Sequence, residues 1–265
     1  MIKKLYYLVS CTLLLTSIVA CEQTKTTTIK VLSYNIKHGV GLDTILDLSR
    51  AANIIKSQHP EYVGLQEIDH YCTRSDSVDQ TNYLAEQTDM TGTFGKFMDF
   101  QGGAYGMATL TSLPINLSEV VSLPDATYEP RSAIVQEIQI DEVSITFANV
   151  HFDWIAGDEG SANRLKQAKV LVNYIDNTEK AAIILGDFNC QPNSPTMQYF
   201  KEQGFIFMDK GLDNLSFQLV NKVEIDHIIY RSSEKVQFNT KSIQLLDAPL
   251  TSDHRPLVAE IVLTY

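Results

Sequence analysis

Short apolar runs, most of them closing on a polar or acidic residue, recur from position 29 to position 263. They constrain the fold more than any other feature, because they are joined in two different ways. The runs 133–140 and 143–152 are separated only by Asp141-Glu142, which reads as a hairpin. Other runs are separated by amphipathic stretches. Residues 46–56 carry Leu48, Ala51, Ala52, Ile54 and Ile55 at helical spacing, and 162–175 set Leu165, Ala168, Leu171, Val172 and Ile175 on one face. A helix is also expected over 81–88, and further strands over 29–36, 62–66, 94–100, 105–111, 181–185, 225–230, 236–246 and 257–263. Hairpins beside strand–helix–strand units fit neither an all-parallel sheet nor a pure sandwich. They fit a mixed α/β fold with sheets inside and helices outside. No repeat or linker follows residue 28, so one domain is expected over 29–265.

The N-terminus is of another kind. Lys3 and Lys4 precede an apolar stretch over 5–20, which meets polar Glu22-Gln23-Thr24-Lys25 at once. Such a segment reads as an export signal over 1–20 rather than a spanning helix. Its ending, Ile18-Val19-Ala20-Cys21, resembles a bacterial lipobox, in which the cysteine becomes the acylated N-terminus. The expectation is an exported lipoprotein anchored to a membrane at Cys21, with a tether over 21–28. A plain secretory signal with an incidental cysteine is the alternative. Cys72 and Cys190 then remain, either to pair in an oxidising compartment or to serve as two small apolar residues. The formal net charge is −11, from 21 Lys and Arg against 32 Asp and Glu. No basic stripe stands out, so tight duplex DNA binding is not expected. A monomer is expected.

Residues able to do chemistry stand at the ends of the apolar runs. Asn35 and Glu67 close the first two strands, His151 closes 143–152, and Asp187 and Asn189 follow Ile183-Ile184-Leu185-Gly186. Asp226 lies beside His227-Ile228, and Ser252-Asp253-His254 precedes the last strand. Strand ends gather on one rim of a layered fold, where sites are commonly built. Hard oxygen donors at Glu67, Asp253 and Asn35, with no Cys or His cluster, favour Mg²⁺ or Mn²⁺ over zinc. Such an ion polarises a phosphoryl oxygen. Asp187 can deprotonate or orient an attacking water, Asn189 can donate to the oxygen that gains charge, and Asp226 can keep His254 protonated.

In order along the chain, Ser33-Tyr34-Asn35-Ile36, Gly64-Leu65-Gln66-Glu67-Ile68-Asp69, Gly103-Ala104-Tyr105-Gly106, Asn149-Val150-His151-Phe152, Gly186-Asp187-Phe188-Asn189, Ile225-Asp226-His227-Ile228 and Ser252-Asp253-His254-Arg255-Pro256 resemble the endonuclease/exonuclease/phosphatase superfamily. The resemblance implies a four-layer α/β sandwich, with two packed mixed sheets flanked by helices. It implies a metal ligand at Glu67 with Asn35 and Asp253 nearby, a water-activating Asp187, an oxyanion-contacting Asn189, and an Asp226–His254 pair. It also places a second histidine at His151 and a site tyrosine at Tyr105. Arg74 and Arg131 fall where relatives often carry a basic residue; a phosphate contact suits each, and so does a solvated loop. Two departures stand out: Lys37 lies where some nucleases have an acidic ligand, and Met107 lies where many members have Asn.

The function expected is divalent-metal-dependent hydrolysis of a phosphoester, diester or monoester, outside the cytoplasm. The substrate could be a small molecule, a lipid headgroup or a nucleic acid. A secreted nuclease and a non-catalytic surface lipoprotein on the same scaffold are the alternatives. Trp154, in a loop, could be a lid or a packed surface residue. His38, His59, His70 and His227 read as surface or packing residues, and strand alternation turns His227 away from Asp226's face.

Overall fold

The computed structural model describes residues 24–265 apart from 125, 127 and 220. The segment 1–20 read as an export signal, and Cys21, lie outside the described residues. In chain order the elements are β1 (Thr26–Asn35), α1 (Leu48–Gln58), β2 (Tyr62–His70), α2 (Gln80–Thr88), β3 (Thr91–Phe100), β4 (Gly103–Thr111), β5 (Ile115–Ser122) and β6 (Ser132–Ile140). There follow β7 (Val143–His151), α3 (Gly157–Asp176), β8 (Ala182–Asp187), α4 (Pro195–Glu202), β9 (Ile206–Phe207), β10 (Asp226–Arg231), β11 (Gln237–Leu245) and β12 (Leu257–Thr264).

They form two six-stranded mixed sheets, in the orders β11-β12-β1-β2-β4-β3 and β5-β6-β7-β8-β10-β9. The two parallel pairs, β1 with β2 and β7 with β8, are the strand–helix–strand units through α1 and α3. The other pairs are antiparallel, and β6–β7 is the hairpin expected at Asp141-Glu142. Apolar side chains fill three interlayer spaces. Val31, Tyr62, Phe147, Ile183 and Ile261 pack between the sheets. Leu32, Ile55, Leu65 and Leu84 join α1 and α2 to the first sheet, and Val150, Leu171, Ile184 and Phe200 join α3 and α4 to the second. The architecture is therefore the four-layer α/β sandwich.

The first strand begins at Thr26, inside the expected tether, because residues 26–28 pair with Thr264, Leu263 and Val262. β5 was not anticipated. It is an edge strand, largely exposed, and Glu119 interrupts the alternation of Ile115, Leu117 and Val121. Nor was α4, although Ser194-Pro195 is a start signal: the Ser194 hydroxyl accepts from Met197 N–H, and proline fits a first helical turn.

A polar bridge crosses the apolar space between the sheets. Gln66 Nε2 donates to Asn149 Oδ1 at 2.6 Å, and Asn149 Nδ2 donates to the carbonyls of Leu65 and Ala108 at 3.0 and 2.9 Å. Gly64 permits the approach, since a Cβ there would stand 2.8 Å from Asn149 Oδ1. Removing the amide strands buried partners in the first sheet, at about 1–3 kcal/mol for each group left unpaired. Asn149→Ala should therefore lower unfolding free energy in urea by about 3 kcal/mol; a loss under about 1 kcal/mol would deny the bridge a structural role.

Candidate active site

Strand register assembles the site. On the second sheet His151 pairs with Asp187 across β7–β8, and Asp187 pairs with Asp226 across β8–β10. Because β10 runs antiparallel to β8, Asp226 stands at the amino end of its strand. Asp226 and the 252–254 segment, which the sequence already sets before the last strand, reach the same rim from the opposite chain direction. On the first sheet Asn35 ends β1 opposite Gln66. Glu67 does not end β2, which continues to His70. It is the extra residue of a β-bulge between Gln66 and Ile68, at φ 57°. A left-handed backbone is costly for a residue with a Cβ, and here the bulge turns the Glu67 carboxylate out of the pleat.

The rims enclose a cleft of about 740 Å³, lined by Glu67, Tyr105, His151, Asp187, Asn189 and His254 among others. Asn35, Asp226 and Asp253 are buried behind them. His254 Nδ1 donates to Asp226 Oδ2 at 2.9 Å, while its Nε2 is 3.7 Å from Asp187 Oδ2. His151 Nε2 lies 3.6 Å from the same Asp187 oxygen. Asn35 Nδ2 donates to Glu67 Oε1 at 3.1 Å and to Asp187 Oδ2 at 3.2 Å, so one amide braces both carboxylates. Its orientation is fixed, because Oδ1 accepts from Lys37 N–H at 3.1 Å. Asn189, at φ 49°, donates its backbone N–H to Asp187 Oδ1 at 2.9 Å and one amide N–H to the Phe152 carbonyl at 3.0 Å.

Burial and charge set the protonation states. Burial pushes the Asp187 carboxyl up to about 7, with the Asp226 charge adding to it and His254 opposing. Asp226 is held below the usual range: burial works to raise it, and the His254 charge and hydrogen bond outweigh that. His254 is raised to about 10, its burial outweighed by Asp226 and Asp187. His151 is driven well below its ordinary value by burial, then by Arg131 and His254, and so is neutral. Burial, with the Glu67 charge, raises Tyr105 well above its usual value, so its phenol keeps its proton.

Neither candidate arginine is a free loop side chain: Arg74 is half-buried and Arg131 buried. Arg74 makes two 2.8 Å bonds to buried Asp69 and lies over Phe100 at 4.6 Å. Arg131 is 3% exposed, pairs through Nη2 with Glu129 at 3.0 Å, and leaves Nε and Nη1 without a partner. Both line the cleft. Asp69, which the sequence did not single out, gave no signal beyond following the Glu67 motif. Lys37 Nζ sits on Asp253 Oδ2 at 2.8 Å. His227 faces away from Asp226, its Nε2 3.0 Å from the Cys190 carbonyl, as alternation requires. Cys72 and Cys190 are free and buried. Trp154 is 53% exposed at the cleft mouth.

For a cation, Asp187, Asp226 and His254 offer atoms within 4.8 Å of one another. A protonated His254, however, has no lone pair to give. Glu67 fits better: its carboxylate lies in the cleft with the Asn35 amide as its neutral donor, and burial raises its pKa. A divalent ion would relieve that desolvated charge.

The chain matches the Endonuclease/Exonuclease/phosphatase family over residues 32–254, and it belongs to that family. Members are usually divalent-metal-dependent phosphoester hydrolases, nucleases and phosphatases among them. The fold is similar to an endonuclease/exonuclease/phosphatase from Beutenbergia cavernae DSM 12333, at 17% identity, TM-score 0.74, and coverage of 88% of this chain and 71% of that one. It is also similar to one from Bacteroides vulgatus, at 20% identity, TM-score 0.71, covering 89% and 98%. A third similar structure is the human Nocturnin catalytic domain with bound sulfate anion, at 22% identity, TM-score 0.68, covering 90% and 97%. No curated relative matches the chain by sequence.

Since folding raises the His254 pKa above its ordinary 6.5, its stabilising contribution is complete below that value and is lost as pH climbs through about 10. Histidine NMR should show one imidazole still protonated at pH 8, and Asp226→Asn should lower its midpoint by more than one unit. A neutral ring at pH 8 in the unaltered protein would contradict this charge arrangement.

Proposed function

We propose that this protein is a divalent-metal-dependent phosphoester hydrolase acting outside the cytoplasm as a monomer, with Asp187 assisting water attack and the metal at Glu67. The observation that carries the reading is the Asp187 carboxylate. It opens onto the cleft while Asn35, His151 and His254 all lie within 3.7 Å of its Oδ2. Its raised pKa, near 7, suits a base that accepts a proton at neutral pH.

Each neighbour then has a task. Asn35 fixes Asp187 relative to Glu67. Asn189, whose amide has a second N–H, donates to the phosphoryl oxygen that gains charge; such a donor is worth roughly 3–4 kcal/mol. Protonated His254, held by Asp226, neutralises a second oxygen. Neutral His151 and the Tyr105 phenol supply further hydrogen bonds, and Arg74 and Arg131 bring positive charge to the phosphate. Mg²⁺ or Mn²⁺ would be held by Glu67, with Asn35 steering that carboxylate and Asp253 adding charge nearby. When bound, the ion polarises the phosphoryl oxygen and helps the leaving oxygen depart.

With Mg²⁺ or Mn²⁺ the protein should hydrolyse a diester or monoester reporter, and a chelator should stop it. Asp187→Asn should lower kcat by roughly 10²–10⁴-fold at unchanged melting temperature. Glu67→Gln should abolish the melting shift that the divalent ion produces. No turnover of either reporter, with no ion-dependent melting shift in the unaltered protein, would defeat the enzyme reading.

The export signal over 1–20 and the Ile-Val-Ala-Cys ending support a membrane-anchored location. Mass spectrometry of the mature N-terminus should find acylated Cys21; a free N-terminus elsewhere would replace the anchor with plain secretion.

A further inference from the structure

The cleft that holds the carboxylates also carries aromatic surface that phosphoester hydrolysis itself does not use. Trp154 lines its mouth at 53% exposure, and Tyr128, 74% exposed, stands beside it with ring centroids 6.5 Å apart and planes 32° from parallel. Large aromatic faces left to water in this way lose burial that a ligand could supply. In the same cleft, Phe100 and Phe217 add ring surface. Arg131, almost wholly buried in the wall of that cleft, has no hydrogen-bond acceptor for Nε and Nη1 among the described residues. A buried guanidinium with unmet donors is costly unless an anion completes it. Flat apolar surface and an unfinished anion site therefore share one opening.

We propose that the substrate is a small phosphate ester whose esterified group carries a flat aromatic ring, of mononucleotide size. Its ring stacks on Trp154 beside Tyr128, while Arg131 takes phosphate oxygens. The proposal rests on the phosphohydrolase reading and adds the class of molecule hydrolysed. Size supports a small ligand over a polymer, since about 740 Å³ falls within the roughly 300–1,000 Å³ of small-molecule sites. Charge supports it too: a net −11 chain offers little to an extended phosphate backbone.

Trp154 is the sole tryptophan of the sequence, so tryptophan emission, excited selectively over that of tyrosine, reports on the mouth of the cleft alone. Adenosine 5′-monophosphate should quench it saturably, with Mg²⁺ present, and ribose 5-phosphate should not. Tyr128→Ala should weaken the half-saturation for the nucleotide by about tenfold, the scale of one lost aromatic contact to a base. Absence of quenching by the nucleotide, or equal effects of nucleotide and ribose phosphate, would overturn the proposal. So would binding of a single-stranded oligothymidylate more than tenfold tighter than that of thymidine monophosphate. The two readings fail separately. Quenching without turnover of any ester upholds the ring site and defeats the hydrolase, whereas turnover without quenching does the reverse.

Discussion

Two buried carboxylates on one imidazolium organise this site. His254 donates to Asp226 at 2.9 Å and faces Asp187 at 3.7 Å, and no bulk water screens the three. In such surroundings charges act strongly on one another. One carboxylate is driven down and the other up, so neighbouring aspartates on β8 and β10 acquire different protonation behaviour. That division depends on the register of a single antiparallel pairing, Asp226 opposite Asp187. A slip of one residue would turn both side chains to the other face. The apolar packing around β8 and β10, with Ile183, Leu185 and Ile228 on one side and Ile184 and Ile229 on the other, holds the register.

The first sheet contributes through Asn35. Its amide reaches Glu67 and Asp187 together, so it ties the rims of two sheets that are joined deeper down by polar bridges such as Gln66–Asn149 and Tyr62–Gln136. Behind it the Ser252 hydroxyl donates to the Asn35 carbonyl at 2.7 Å, and Lys37 covers Asp253. The acidic cluster thus has its own cations in Lys37 and His254. Glu67, which lines the cleft, makes no direct contact with either of them.

Much of this was legible in the sequence because strand ends and helix faces follow from local periodicity. Apolar runs marked most of the strands, the family resemblance implied their division into two sheets, and the polar residues closing the runs marked the rim, with Asp187, Asn189 and His151 where expected. What local pattern could not carry was chain direction and burial. Asp226 lies at an amino end because β10 returns antiparallel, a fact of pairing rather than of spacing. The Glu67 bulge depends on Met107 and Gly106 across the ladder. Arg131 follows a proline in a loop, where a phosphate contact and a solvated side chain read equally well; Phe97 at 5.0 Å and Glu129 enclose it. The edge strand β5 is largely exposed, and Glu119 breaks the apolar alternation that would announce it.

The account separates the group that holds protons from the group that holds the metal. Crystals grown with Mn²⁺ would test this directly through anomalous scattering. The predicted result is a peak bonded to a Glu67 oxygen, with the Asp226–His254 hydrogen bond intact. A peak centred between Asp187, Asp226 and His254, with His254 as a ligand, would contradict it.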